Sequence, residues 1–114
     1  MGKSSEIIIE VVIIDDHRLF NDGLNAMLAP ETGIEVLAQV YDSREARAKV
    51  RKLSPDIVLM DFNMPHVNGI DLTKLMLSEQ PRLKILILSM YDEERYIGTF
   101  KEIGAKGYLF KTAS

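Results

Sequence analysis

The chain has no cysteine, which excludes a disulfide framework and thiolate metal sites and leaves folding to the hydrophobic core. It also lacks a long apolar run. The nearest, Ile7 to Ile14, is interrupted by Glu10 and falls well short of the ~18 residues that cross a bilayer. Basic residues are not in excess either. The 14 Lys and Arg stand against 17 Asp and Glu, a formal net charge of -3, which argues against direct nucleic-acid contact by this segment because phosphate binding needs clustered cations. The start, Met-Gly-Lys-Ser-Ser, has no apolar h-region or cleavage site, and Glu6 stands where a myristoylation signal requires Ser or Thr. The expectation is a cytoplasmic protein with no membrane contact. Repeats, linkers and low-complexity tracts are missing as well.

What is present fits one domain. The 114 residues, 46% hydrophobic and 27% charged, suffice to bury roughly two-thirds of the unfolded surface without a staple. Short apolar runs alternate with helical patterns. Ile7 to Ile14 predicts a buried strand ending at Asp15. Phe20, Leu24, Met27 and Leu28 recur at helical spacing up to Pro30. Ile34 to Tyr41 is the second strand, and Ser43 is placed to cap a helix whose inner face is Ala46, Val50 and Leu53. Ile57 to Met60 forms a third strand ending at Asp61. After the Met64–Gly69 loop, a helix turns Leu72, Leu75 and Met76 inward. Leu83 to Leu88 stops at Ser89; Tyr91, Asp92, Glu93, Glu94 and Arg95 open a fourth helix that buries Tyr96, Ile97, Phe100 and Ile103 and is closed by Gly104. Gly107 to Phe110 ends at Lys111. The order is βαβαβαβαβ, and strands without polar alternation belong to a parallel sheet covered on both faces.

The polar residues fall where such a sheet binds ligands. Asp15-Asp16, Asp61, Ser89 and Lys111 terminate four separate strands on the same edge. Three carboxylates brought close together cannot all ionise without compensating cations. Lys111 supplies one charge, and a hard divalent ion such as Mg²⁺ supplies the rest. A carboxylate between a metal ion and an ammonium is a phosphoryl-transfer arrangement, and the carboxylate can itself be the nucleophile.

Four segments carry a family likeness: Val12-Ile13-Ile14-Asp15-Asp16-His17, Pro55 to Pro65 around Asp61-Phe62-Asn63-Met64-Pro65, Leu86-Ile87-Leu88-Ser89, and Gly104 to Lys111. In order and spacing they resemble the response regulator receiver domain of two-component systems, closest to receivers of LuxR-type helix-turn-helix regulators. The resemblance implies a flavodoxin-like doubly wound five-stranded sheet of order 2-1-3-4-5. It implies Asp61 as phosphoacceptor and Mg²⁺ held by Asp15, Asp16, Asp61 and the backbone carbonyl of Asn63. Ser89 matches the switch hydroxyl, Lys111 the phosphoryl-pairing ammonium and Tyr108 the switch aromatic. The implied partners are a sensor histidine kinase, a C-terminal DNA-binding domain outside residues 1–114, and a second copy on phosphorylation. The last helix of that fold is expected after Ser114, which is placed as its N-cap. One departure is Thr112, where the wider family has proline. A cis bond there would cost about 3–4 kcal/mol against about 1 for proline, and its geometry stays open.

Other readings compete. Asp61-Phe62-Asn63 faintly matches the Asp-x-Asp of haloacid dehalogenase-type phosphatases, although no cap or long substrate loop accompanies it. A flavodoxin-like cofactor binder would place a hydroxyl- or Gly-rich loop after the first strand, where Asp15-Asp16-His17 would repel a flavin phosphate. A degenerate, binding-only receiver would have lost a key position, and none is lost. His17 is expected on the surface of the first helical turn and His66 in a solvated loop. Arg44, Arg47, Lys49, Arg51 and Lys52 read as a solvated helix face, and Met60 and Met64 as packing.

Overall fold

The computed structural model of the protein describes residues 7–89 and 94–111. The expected helix opening at Tyr91 to Glu93, the Lys111–Thr112 bond and the cap at Ser114 lie outside the described residues.

The elements run β1 (Ile9–Ile14), α1 (Arg18–Leu28), β2 (Ile34–Val40), α2 (Ala46–Leu53), β3 (Ile57–Asp61), α3 (Gly69–Glu79), β4 (Lys84–Ser89), α4 (Glu94–Glu102) and β5 (Gly107–Phe110). All strand pairs are parallel, and the sheet order is β2-β1-β3-β4-β5, as expected. Strand alternation divides the apolar residues between two faces. Val12, Ile14, Val58, Met60, Ile85 and Ile87 form one buried cluster with Ala46 and Val50 of α2, Leu72 and Met76 of α3 and Phe100 of α4. Met64 packs against this cluster from its loop. The alternate residues Val11, Ile13 and Leu88 are buried on the opposite face, where α1 lies against β1 and β2.

Local corrections have physical causes. Asp42, rather than Ser43, caps the turn before α2, its carboxylate accepting from the Arg44 amide at 2.9 Å. Ser43 is instead buried, and its hydroxyl donates to the Pro65 carbonyl at 2.6 Å, tying the β2–α2 turn to the loop after β3. In α3 the inward positions are Leu72, Thr73 and Met76, while Leu75 is exposed. In α1 Met27 is 64% exposed. The closure of α4 stands as read: Gly104 adopts φ +109°, and Ala105 N–H reaches back to the Phe100 carbonyl at 2.9 Å, a helix end that only glycine enters without strain.

Candidate functional site

The C-terminal ends of β1, β3 and β5 converge as the sequence predicts. Asp15, directly after β1, and Asp61, the last residue of β3, are both fully buried. Lys111 follows β5, and its Nζ lies 2.8 Å from Asp15 Oδ2 and 3.3 Å from Asp61 Oδ1. Its side chain is 1% exposed, shielded by the Phe20 ring 4.5 Å from the ammonium. Asp16 borders the same pocket, half-buried. Asp15 Oδ1 is fixed by the amide of His17 at 2.9 Å.

Ser89 ends β4 and is buried, and its carbonyl accepts from the Lys111 amide at 2.6 Å, so its strand end adjoins the lysine. Asn63 is exposed in the loop two residues past Asp61. Tyr108 precedes Lys111 by three residues. It lies on β5 opposite Ile87, half-buried, its ring 5.9 Å from that of Phe100 and 5.7 Å from that of Phe110. Phe62, next to Asp61, packs on Tyr96 at 4.8 Å and edge-on to Phe100 at 5.3 Å. Aromatic rings therefore run without a gap from the residue after Asp61 to Tyr108.

Charge in this pocket is unbalanced. Burial pushes the Asp61 carboxyl up from its ordinary 3.8 to about 6; the Asp15 charge pushes the same way, and Lys111 and His17 oppose it. Asp16 Oδ1 and Asp61 Oδ2 are buried with no hydrogen-bond partner among the described residues. Oxygens left so are costly. Ligand atoms of Asp15, Asp16, His17 and Asp61 all lie within 4.8 Å of one another, so the donor set fits a divalent cation.

Two contributors escaped the sequence reading. His17 is exposed at the start of α1, as expected, yet its ring also borders the pocket, with Nδ1 3.2 Å from Asp15 Oδ1, 3.7 Å from Asp61 Oδ2 and 3.1 Å from Lys111 Nζ; its position directly after the acid pair was the available signal for that contact. Asn21 is fully buried, and its amide donates to the carbonyls of Asp15 at 3.0 Å and Val40 at 3.2 Å. Its signal was a polar residue in register with Leu24 and Leu28 on the apolar stripe of α1. His66 sits exposed in its loop at φ +75°, and the side chains of Arg44, Arg47, Lys49, Arg51 and Lys52 are exposed, as expected.

The family model for the response regulator receiver domain matches residues 11–114. The chain belongs to this family. Among curated relatives, the receiver is 45% identical over 103 residues to the transcriptional regulatory protein DegU of Brevibacillus brevis, covering 90% of this chain and 44% of DegU. It is 39% identical over 106 residues to the transcriptional regulatory protein LnrK of Bacillus subtilis, covering 93% of this chain and 48% of LnrK. The receiver thus spans about half the length of the curated relatives it matches. Among solved structures it is similar to a LuxR-family two-component response regulator from Aurantimonas, with TM-score 0.87, 29% identity, and coverage of 94% of this chain and 76% of that one. It is equally similar to the signal receiver domain of NarL from Mycobacterium tuberculosis, with TM-score 0.87, 27% identity, and coverage of 95% and 87%. The phosphatase reading finds no support in these matches. Among the described residues, no helix is long and apolar enough to cross a membrane.

Proposed function

We propose that this receiver takes a phosphoryl group onto Asp61 from the phosphohistidine of a sensor kinase. The observation that carries the reading is the divided environment of one buried carboxylate. Asp61 Oδ1 faces the Lys111 ammonium at 3.3 Å, while Oδ2 has no hydrogen-bond donor among the described residues. Attack by an Asp61 oxygen on phosphorus forms the P–O bond of an acyl phosphate and breaks the P–N bond to the kinase imidazole, which leaves with the electron pair. Lys111, a compact ammonium held by Asp15, is placed to pair with an equatorial phosphoryl oxygen. Asp15, Asp16, Asp61 and the backbone carbonyl of Asn63 would hold Mg²⁺, which neutralises charge on the phosphoryl oxygens when bound. The receiver turns over no external substrate in this reading.

Phosphorylation at Asp61 then draws the Ser89 hydroxyl toward the new oxygens and shifts Tyr108 between two packed positions, biasing the surface of α4 and β5. The output is a DNA-binding domain following residue 114 in a cytoplasmic transcription regulator, with dimerisation on phosphorylation. Support for a longer chain comes from the length of the relatives and from an apolar face that a further helix would cover, where Leu109 is 53% exposed.

Acetyl phosphate with Mg²⁺ is expected to add one phosphoryl group, by intact mass, to the wild-type receiver and none to Asp61→Asn. Beryllofluoride with Mg²⁺ is expected to move the amide resonances of Ser89 and Tyr108. An unmodified mass together with an unchanged spectrum would reject the reading.

A further inference from the structure

A buried ammonium has three protons to place. Lys111 Nζ donates to Asp15 Oδ2 at 2.8 Å and to Asp61 Oδ1 at 3.3 Å, which uses two of them. Its side chain is 1% exposed and the Phe20 ring closes one side at 4.5 Å, so water is a poor recipient for the third. Among the described residues, the remaining acceptor within reach is His17 Nδ1, 3.1 Å from Nζ. Because an ammonium only donates, Nδ1 turns its lone pair toward Lys111 and the ring proton sits on Nε2. Asp15 Oδ1 lies 3.2 Å from the same nitrogen, but it already accepts from the His17 amide at 2.9 Å and is satisfied without a ring proton. A lysine left with an unplaced proton would lift its head group toward water.

We infer that His17 is a positioning residue for phosphoryl transfer: by accepting the third Lys111 proton through Nδ1, it holds the ammonium down in the pocket, aimed at the Asp61 carboxylate. The inference rests on reading Asp61 as the phosphoacceptor. When a phosphoryl group arrives, Lys111 exchanges the Asp61 oxygen for a phosphoryl oxygen and keeps Asp15 and His17. Two of its three bonds persist through the reaction, so the ammonium is in place before charge develops. The backbone amide of His17 serves Asp15 whatever the side chain is, so the role of the ring is separable from the support of the acid pair.

The test pairs His17→Leu, which keeps bulk and loses the acceptor, with His17→Asn, whose Oδ1 stands where imidazole carries Nδ1. With acetyl phosphate at saturating Mg²⁺, the phosphorylation rate is expected to fall about tenfold in His17→Leu and to recover to within about threefold of wild type in His17→Asn. Mg²⁺ affinity, measured separately, is expected to move less than about threefold in both, since the ion prefers carboxylates and water. In the unmodified wild-type receiver with a neutral imidazole, long-range proton–nitrogen NMR is expected to place the ring proton on Nε2, and Lys111→Met is expected to remove that preference. Equal rates in wild type and His17→Leu, no recovery in His17→Asn, a Mg²⁺ loss that matches the loss of rate, or a ring proton on Nδ1 in wild type would each overturn the role. The tautomer is read on the wild type, so it decides the contact even where His17→Leu fails to fold. A wild type that acetyl phosphate leaves unmodified would reject Asp61 as phosphoacceptor, and this role with it, while the Nε2 tautomer would still register the bond between His17 and Lys111.

Discussion

The buried amide of Asn21 holds the carbonyl of Asp15 at 3.0 Å and that of Val40 at 3.2 Å, so one side chain ties together the ends of two neighbouring strands. Its own oxygen accepts from Gln39 at 3.0 Å. The acid pair is thereby fixed from behind, by a residue that never faces the pocket. Asn21→Ala leaves two inward carbonyls without their donor and opens a small void, and is expected to cost about 2–4 kcal/mol. Mg²⁺ affinity should fall with it, because Asp15 loses its anchor. Urea unfolding with and without Mg²⁺ checks both effects.

The raised Asp61 carboxyl gives a pH signature. Its folded value of about 6 exceeds its ordinary 3.8, so the native chain binds more protons than the unfolded chain between those values. Stability from this group is full below pH ~4 and is lost as pH rises through about 6. A shift of about two units corresponds to up to about 3 kcal/mol. In chelator, wild-type stability should therefore decline from pH 4 to 7 relative to Asp61→Asn, which has no such group, and Mg²⁺ should flatten the difference. Parallel unfolding curves at four pH values decide it.

Removing the ammonium tests the same electrostatics from the other side. Lys111→Met leaves Asp15 and Asp61 buried without their shared cation, at a cost of about 3 kcal/mol near neutral pH. The loss should shrink at pH 5, where Asp61 can take up a proton, and added Mg²⁺ should recover part of it. Thermal unfolding across that range, with and without the ion, is the measurement.

The aromatic run from Phe62 to Tyr108 predicts coupling. Phe62→Leu removes the edge-on contact with Phe100 and the contact with Tyr96 while keeping an apolar side chain, and should cost only about 1 kcal/mol. Its larger effect is expected on transmission: with beryllofluoride bound, the Tyr108 ring resonances should move less than in the wild type, although those of Ser89 move as before. Equal Tyr108 displacements in both proteins would exclude a role for the rings.

How much of this was legible beforehand depends on what carries each feature. Asp15, Asp61, Ser89 and Lys111 could be read because each is the first polar residue after an apolar run, and parallel topology sends all such ends to one edge. The sheet order needed the family likeness, since alternation gives strands but not their neighbours. His17 and Asn21 were missed for a different reason. Where a side chain turns after a strand ends, and which carbonyls need a donor, are settled by the packing of α1 against β2, which no local period encodes. Ser43 shows the same limit: its hydroxyl suits a cap, but the tertiary partner Pro65 took it. Leu75 and Met27 erred through width, because an apolar stripe is broader than the surface it meets.

Residues 15 and 111 enter the pocket from almost opposite ends of the chain, meeting only because β1, β3, β4 and β5 stand side by side. No fragment short of the assembled sheet can own this pocket. If the pocket takes up a cation as proposed, ion uptake would serve as an assay of nativeness: a substitution along those strands that lets the sheet part would release the ion, and cation supply would in turn favour the intact fold by mass action.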